Sequence, residues 1–296
     1  MRTHHEGRHE NGQNFLVDRT AITDVVDLVA RTRGPILEIG PGGGALTLPL
    51  QSLGRPLTAV EVDPDRVRSL RRRVAPGTSV VHADFLRHPL PTDPHVLVGN
   101  LPFHLTTAML RRVVHAGHWT DAVLLVQWEV ARRRAGVGGA TMMTAQWWPW
   151  YAFTLVRRVP AAAFHPRPSV DGGLMTVTRR EVPLVDARDR RRYQSFVHRV
   201  FTGRGRGVPA IVRAAYPSPR TSLRTSPRTS TRTSDPTSAR PAAQPPARTS
   251  TSIAASIPAA TPTSIPAWAR RHGITDRTLP RDLTARQWAE LFALCC

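Results

Sequence analysis

Apolar positions along the first part of the chain fall into two alternating rhythms. Short continuous apolar runs read as buried strands, and stretches with an apolar residue every third or fourth position read as helices with one covered face. Residues 18–31 carry Ile22, Val25, Val26 and Val29 at the helical spacing, and residues 35–39 follow as an apolar run. Further runs lie at residues 57–62, from Val80, at 96–100, at 123–127 and at 174–177, with helical patterns opening at Thr106 and over 129–135 between them. Strands that alternate with helices predict an α/β protein built on a doubly wound, Rossmann-like sheet.

From Arg179 the rhythm changes. Residues 190–201 form a helical pattern with Tyr193, Phe196, Val197 and Val200 on one side. A basic turn, Gly203-Arg204-Gly205-Arg206-Gly207, comes next and reads as flexible. Residues 217–264 are Pro, Ser, Thr, Arg and Ala, with Arg-Thr-Ser recurring at 220, 224, 228 and 232. Such a stretch has too little apolar surface to bury a core and is expected to be disordered. Beyond it, Trp268, Ile274, Leu279, Leu283, Trp288, Leu291 and Phe292 predict two short helices, the second N-capped by Thr284. The expected organisation is therefore a polar, His-rich, disordered leader (1–11), an α/β domain (12–178), and a small α-helical domain (179–296) interrupted by the 217–264 linker.

Charge adds a partner to this picture. The 296 residues hold 41 Arg, no Lys and 21 acidic residues, a net charge of +20. Residues 1–178 hold 20 Arg against 14 acids, whereas residues 179–296 hold 21 against 7. An excess of this kind is the footprint of a polyanionic partner such as nucleic acid, and Arg204 and Arg206 are candidates to grip phosphates. The only cysteines, Cys295 and Cys296, are adjacent and can neither staple a fold nor build a four-ligand metal site, which suits a reducing, cytoplasmic setting. His165 has no partner ligand at usable spacing, so no metal is expected. No apolar run reaches the roughly 18 residues that a membrane span needs, and the polar start does not read as a secretory signal.

Candidate chemistry gathers where the strands end. Gly40-Pro41-Gly42-Gly43-Gly44 follows the 35–39 run, and its glycines let backbone pass close to a ligand at a helix start. Glu61 stands about twenty residues on, where a carboxylate accepts bonds from ribose hydroxyls. Asp84 is placed to accept a bond from an adenine amino group, with Phe85 or Leu86 against the ring. The 96–100 run ends in Asn100-Leu101-Pro102-Phe103, where Pro102 forces the strand to stop. That leaves an amide, the Leu101 carbonyl and an aromatic face together, a set that suits a flat, hydrogen-bonding nucleobase.

Taken in order, Gln13-Asn14-Phe15-Leu16, Glu38 to Gly44, Glu61-Val62-Asp63, Asp84, Asn100-Leu101-Pro102-Phe103 and Phe164-His165-Pro166-Arg167-Pro168 resemble the ribosomal RNA adenine N6-methyltransferases. Between the family's branches, Phe103, Val126 to Ala131 and Phe201 to Gly207 look most like the actinobacterial Erm methyltransferases, which confer macrolide–lincosamide–streptogramin resistance. The Arg-Thr-Ser insertion departs from both branches. The resemblance implies a monomeric enzyme that uses S-adenosylmethionine to methylate one adenine of large-subunit ribosomal RNA before assembly is complete. It also implies that Asn14, Leu16, Gly40, Gly42, Glu61, Asp84, Phe85 and Asn100 line the cofactor site. By the same likeness Glu38 supports the glycine loop, Asn100, Leu101 and Phe103 carry the chemistry, and Phe103 and Phe164 sandwich the target base. A small-subunit dimethyladenosine transferase and a non-catalytic RNA-binding protein on the same fold are the alternatives.

Overall fold

The computed structural model describes residues 14–217 and 264–296. The leader at 1–11, Gln13 and linker residues 218–263 lie outside the described residues. In chain order the first part comprises β1 (Phe15–Leu16), α1 (Arg19–Ala30), β2 (Ile36–Ile39), α2 (Thr47–Leu50), β3 (Leu57–Glu61), α3 (Pro64–Arg71), β4 (Thr78–His82), β5 (His95–Asn100), α4 (Thr106–His115), β6 (Trp119–Gln127), α5 (Trp128–Arg134), α6 (Met142–Trp147), β7 (Tyr151–Val159), β8 (Phe164–His165) and β9 (Gly172–Arg179). Seven of these strands form one sheet in the order β4-β3-β2-β5-β6-β9-β7. The first five run parallel, while β9 lies antiparallel to β6 and β7 antiparallel to β9.

The strand order reverses between β2 and β5, and open α/β sheets bind ligands outside the carboxyl ends at such a switch point. The two strands approach closely there because Gly99 has no side chain. A Cβ at that position would stand 2.7 Å from the Ile39 carbonyl oxygen.

Both faces of the sheet are covered, which is why its central strands are apolar throughout rather than alternating. Val25 and Val29 of α1 pack with Ile36, Val96, Val98 and Val123 on one face. Leu37, Leu97 and Leu124 face the other layer, with Leu110 and Val113 of α4. Asp18 starts α1 by accepting the Ala21 N–H at 2.7 Å, as an N-cap carboxylate does. Trp147, Trp148 and Trp150 are buried in this second layer and serve packing.

The pattern of residues 151–159 did not predict β7. Its burial alternates on a sheet edge, and Arg157 and Arg158 interrupt the apolar rhythm where the pairing register with β9 shifts.

The helical part comprises α7 (Arg190–Thr202), α8 (Gly207–Ala215), α9 (Ile265–Arg271) and α10 (Ala285–Cys295). As expected, Tyr193, Phe196, Val197 and Val200 turn inward from α7. Thr284 caps α10 within a reciprocal capping box: its hydroxyl accepts the Gln287 N–H, and its own N–H donates to Gln287 Oε1 at 2.8 Å. The Gly203–Gly207 turn has less freedom than its composition implies, because Gly207 (φ +69°) already opens α8. A Cβ there would lie 2.3 Å from the Asp276 carbonyl oxygen, so α8 seats directly on the segment beyond the insertion. Edge-to-face rings join the layers: Trp150 meets Tyr193 (5.5 Å between centroids), and Tyr193 meets Phe292 (5.3 Å). Helical part and sheet thus share one continuous apolar core.

Candidate active site

The carboxyl ends of β2, β3, β4 and β5 surround a cavity of about 470 Å³ at the switch point. Asn14, Gly40, Gly42, Glu61, Asp84, Phe85 and Asn100 all line it, so most of the residues proposed for the cofactor converge from four strand ends and the N-terminal segment. Gly40, Gly42 and Gly44 have φ of +65°, +53° and +86°, a run that L side chains rarely adopt. At Gly40 nothing stands within 4 Å of where a Cβ would be, so the turn presents bare backbone.

Glu61 fixes this turn to β3. It is almost fully buried, and its Oε2 accepts the Gly42 N–H at 2.9 Å while Oε1 accepts the N–H groups of Val62 (2.9 Å) and Asp63 (3.0 Å). With both acceptor sites of Oε1 taken, Oε2 keeps one for a ligand hydroxyl. Asp84 is half-buried, and its Oδ1 accepts the Leu86 N–H at 2.9 Å, which orients the carboxylate beside Phe85 and Leu86.

Asn100 ends β5 with its side-chain NH₂ donating to the Asn14 carbonyl at 2.7 Å. That bond engages one of the amide's two N–H groups and fixes the side chain at the cavity wall, with Oδ1 as its acceptor. Leu101 closes the ladder by donating its N–H to the Leu125 carbonyl (2.9 Å), with its side chain in the core. The Pro102 carbonyl accepts from Leu105 N–H (3.0 Å) and Thr106 Oγ1 (3.1 Å), which stiffens the loop bearing Phe103.

Leu16, Glu38, Leu101, Phe103 and Phe164 are not among the residues that line the cavity. Leu16 is in the core. Glu38 is fully buried beneath the glycine turn; burial, aided by the Glu61 charge and opposed by Thr47, pushes its carboxyl up to about 7. Its Oε2 has no hydrogen-bond partner among the described residues. Phe164 is 3 % exposed and meets Phe103 edge-on (centroids 6.0 Å apart, planes at 69°). The two rings are brought together, but Phe164 braces Phe103 and offers no second face to a base. Arg204 and Arg206 are exposed on the α7–α8 connection, outside the cavity.

Sequence reasoning assigned no role to Phe15 or His104, which also line the cavity. Phe15 lies under the Arg66 guanidinium (4.2 Å). Only β1 explains its place: β1 pairs antiparallel with β8, Phe15 opposite His165 and Leu16 opposite Phe164, and so carries Asn14 to Asn100.

A glycine cradle, two carboxylates and an aromatic wall at the switch point of a mostly parallel sheet define a Rossmann-like site for an adenosine-containing cofactor, and the donor set fits S-adenosylmethionine. The chain belongs to the ribosomal RNA adenine dimethylase family, whose model matches residues 4–228. It is 55% identical over 214 residues to an rRNA adenine N-6-methyltransferase of Corynebacterium diphtheriae (72% of this chain, 85% of that protein). It is 44% identical over 289 residues to the mycinamicin-resistance protein MyrB of Micromonospora griseorubida (97% and 79%). Among solved structures, the 23S rRNA methyltransferase ErmE superposes with a TM-score of 0.75 at 28% identity, covering 95% of this chain and 99% of that one. The protein is an rRNA adenine N6-methyltransferase of the Erm fold.

Proposed function

We propose that this enzyme uses S-adenosylmethionine to methylate the N6 amino group of one adenine in large-subunit ribosomal RNA. In this reading it acts as a cytoplasmic monomer before assembly is complete and confers macrolide–lincosamide–streptogramin resistance. Relatives named for 23S rRNA and for mycinamicin resistance support the target. The observation that carries the chemistry is the Asn100 amide, which donates one N–H to the Asn14 carbonyl and has its oxygen as the acceptor for a substrate.

Glu61, Asp84, Phe85, Asn14 and the Gly40–Gly42 backbone would hold the cofactor, with Leu16 and Glu38 supporting them from behind. When bound, S-adenosylmethionine supplies an electrophilic methyl group. An adenine amino nitrogen is a poor nucleophile because its lone pair is delocalised into the ring. Asn100 Oδ1 and the Leu101 carbonyl accept its two N–H bonds, which holds the nitrogen in place and favours a pyramidal geometry with the lone pair free. The base leaves its neighbours to enter the pocket and stacks on Phe103, a contact that contributes roughly 1–3 kcal/mol. After the N–C bond forms, the nitrogen's surplus proton passes to water, so no general base is used. Positioning of this kind lowers barriers by up to about 7–11 kcal/mol.

The test is transfer of labelled methyl groups to protein-free large-subunit RNA and to small-subunit particles, followed by mapping of the modified base. Label on one adenine of the large-subunit RNA, with macrolide resistance in an expressing host, is the expected result. Label on small-subunit particles alone, or on neither, overturns the reading.

A further inference from the structure

A second concavity, a groove of about 620 Å³, lies beside the cofactor cavity and shares Leu86 with it. Arg111 and Arg112 of α4, His115 at its end and His118 just beyond line one side, and no carboxylate is among the lining residues. Several other helix-borne arginines are neutralised by a neighbouring carboxylate. On α3, Arg66 pairs with Asp63 and Arg68 with Asp65; on α5, Arg132 and Arg133 share Glu129; at α7, Arg188 and Arg192 pair with Asp186 and Asp189. Arg111 is exposed and has no ion pair among the described residues. Arg112 donates to the His88 carbonyl and lies 5.6 Å over the Phe85 ring, while its buried Nε has no acceptor among the described residues.

A concave surface that carries guanidinium groups and no carboxylate attracts anions, planar guanidinium forks match phosphate oxygens, and imidazole N–H groups add hydrogen-bond donors. The groove runs along α4, the helix that directly follows the Asn100–Phe103 loop, which puts it within reach of a strand whose base is held by that loop. We infer that this groove binds the phosphate backbone of the RNA substrate, with Arg111 and His118 making the phosphate contacts. Arg112 joins the groove to Phe85 and so to the cofactor's base pocket. The inference rests on the proposed function and adds to it a backbone contact separate from Arg204 and Arg206.

Arg111 and His118 are the residues to vary, because removing Arg112 would also free the His88 segment. Binding of a protein-free large-subunit RNA transcript would be measured against salt for the wild type, Arg111→Gln, Arg111→Gln/His118→Gln and, as a control, the ion-paired Arg68→Gln. Removing one phosphate-binding side chain should make the plot of log affinity against log salt shallower by about 0.7–0.9. KM for RNA should rise more than kcat falls, and the control should match the wild type. If the groove variants keep the wild-type slope and KM while the wild type binds and methylates the transcript, the groove assignment is overturned and the proposed function stands. If the wild type neither binds nor methylates it, both fall.

Discussion

At Asn100 the two ends of one amide are proposed to have separate tasks: the NH₂ is tied to the Asn14 carbonyl at 2.7 Å, and the oxygen is the proposed acceptor for the substrate amino group. Asn100→Ala removes both, and turnover should fall by at least about 10²-fold through impaired positioning while S-adenosylmethionine still binds measurably by calorimetry. Wild-type turnover in that variant would remove Asn100 from the mechanism. Phe103 is half-buried with Phe164 at its edge, so Phe103→Tyr keeps the stacking face and should retain activity, whereas Phe103→Ala should lose most of it. Glu38 answers to pH instead. Its folded carboxyl titrates at about 7 against an ordinary 4.5, because burial penalises the charged form. A group raised in this way contributes stability that is complete below pH 4.5 and is lost as pH rises through about 7. At pH 8 the buried charge costs on the order of 3 kcal/mol. Glu38→Gln should therefore be the more stable protein at pH 8, and the two should converge near pH 4.5. Denaturant midpoints across that range test the sign, and a wild type that gained on the variant with rising pH would refute it.

Elements show what the sequence discloses and what it withholds. The strands ending at Ile39, Glu61 and Asn100 were readable because a strand buried on both faces is a largely apolar run, and each ends in or beside a glycine, acid or amide with chemistry of its own, while the edge strand β4 was marked only by Val80 and Val81. The helix pattern of residues 190–201 was legible for a related reason, since one face is apolar and the other basic. Three features were not. The edge strand β7 alternates weakly and carries two arginines. Helix α8 begins at a glycine within a basic turn whose composition signals freedom, and tertiary contacts hold it: Gly207 against Asp276 and the Val208 N–H donating to the Thr278 carbonyl at 2.8 Å. The β1–β8 pair joins positions roughly 150 residues apart through two residues each, and no local rhythm encodes such a pairing. Yet that pair delivers Asn14 and braces Phe103, so the cavity's glycines, carboxylates and amides were foreseeable while Phe15, His104 and the means of convergence were not. Helix α10 yields a test of the same tertiary logic. Trp288 is fully buried, stacked on Phe201 (5.5 Å, 8°) and edge-on to Phe196 (6.0 Å). Trp288→Ala should cost about 3–5 kcal/mol, read as a lower midpoint in denaturant, and because the core is shared the change should appear in the whole cooperative transition.

On the scale of the molecule, the excess of positive charge lies in the C-terminal part of the sequence. Residues 179–296 carry 21 Arg against 7 acids, and the Trp150–Tyr193–Phe292 chain of rings fastens that part to the sheet bearing the cavity. The Arg204–Arg206 turn is therefore held at a set place relative to the site, anchored by Gly207 against Asp276 on one side and by α7 on the other. Both arginines are exposed and neither has an ion pair among the described residues. If they grip phosphates, Arg204→Gln/Arg206→Gln should weaken RNA binding and make the salt dependence shallower by about two contacts, or roughly 1.4–1.8 in slope. Affinity for S-adenosylmethionine should be untouched, because the turn lies outside the cavity. Filter binding across a salt series separates this outcome from a merely structural one. A destabilised fold would weaken binding at every salt concentration with the slope kept, and would lower the thermal midpoint as well. A wild-type slope and affinity in the double variant would place the turn outside the RNA footprint and leave the backbone contacts to the groove on α4.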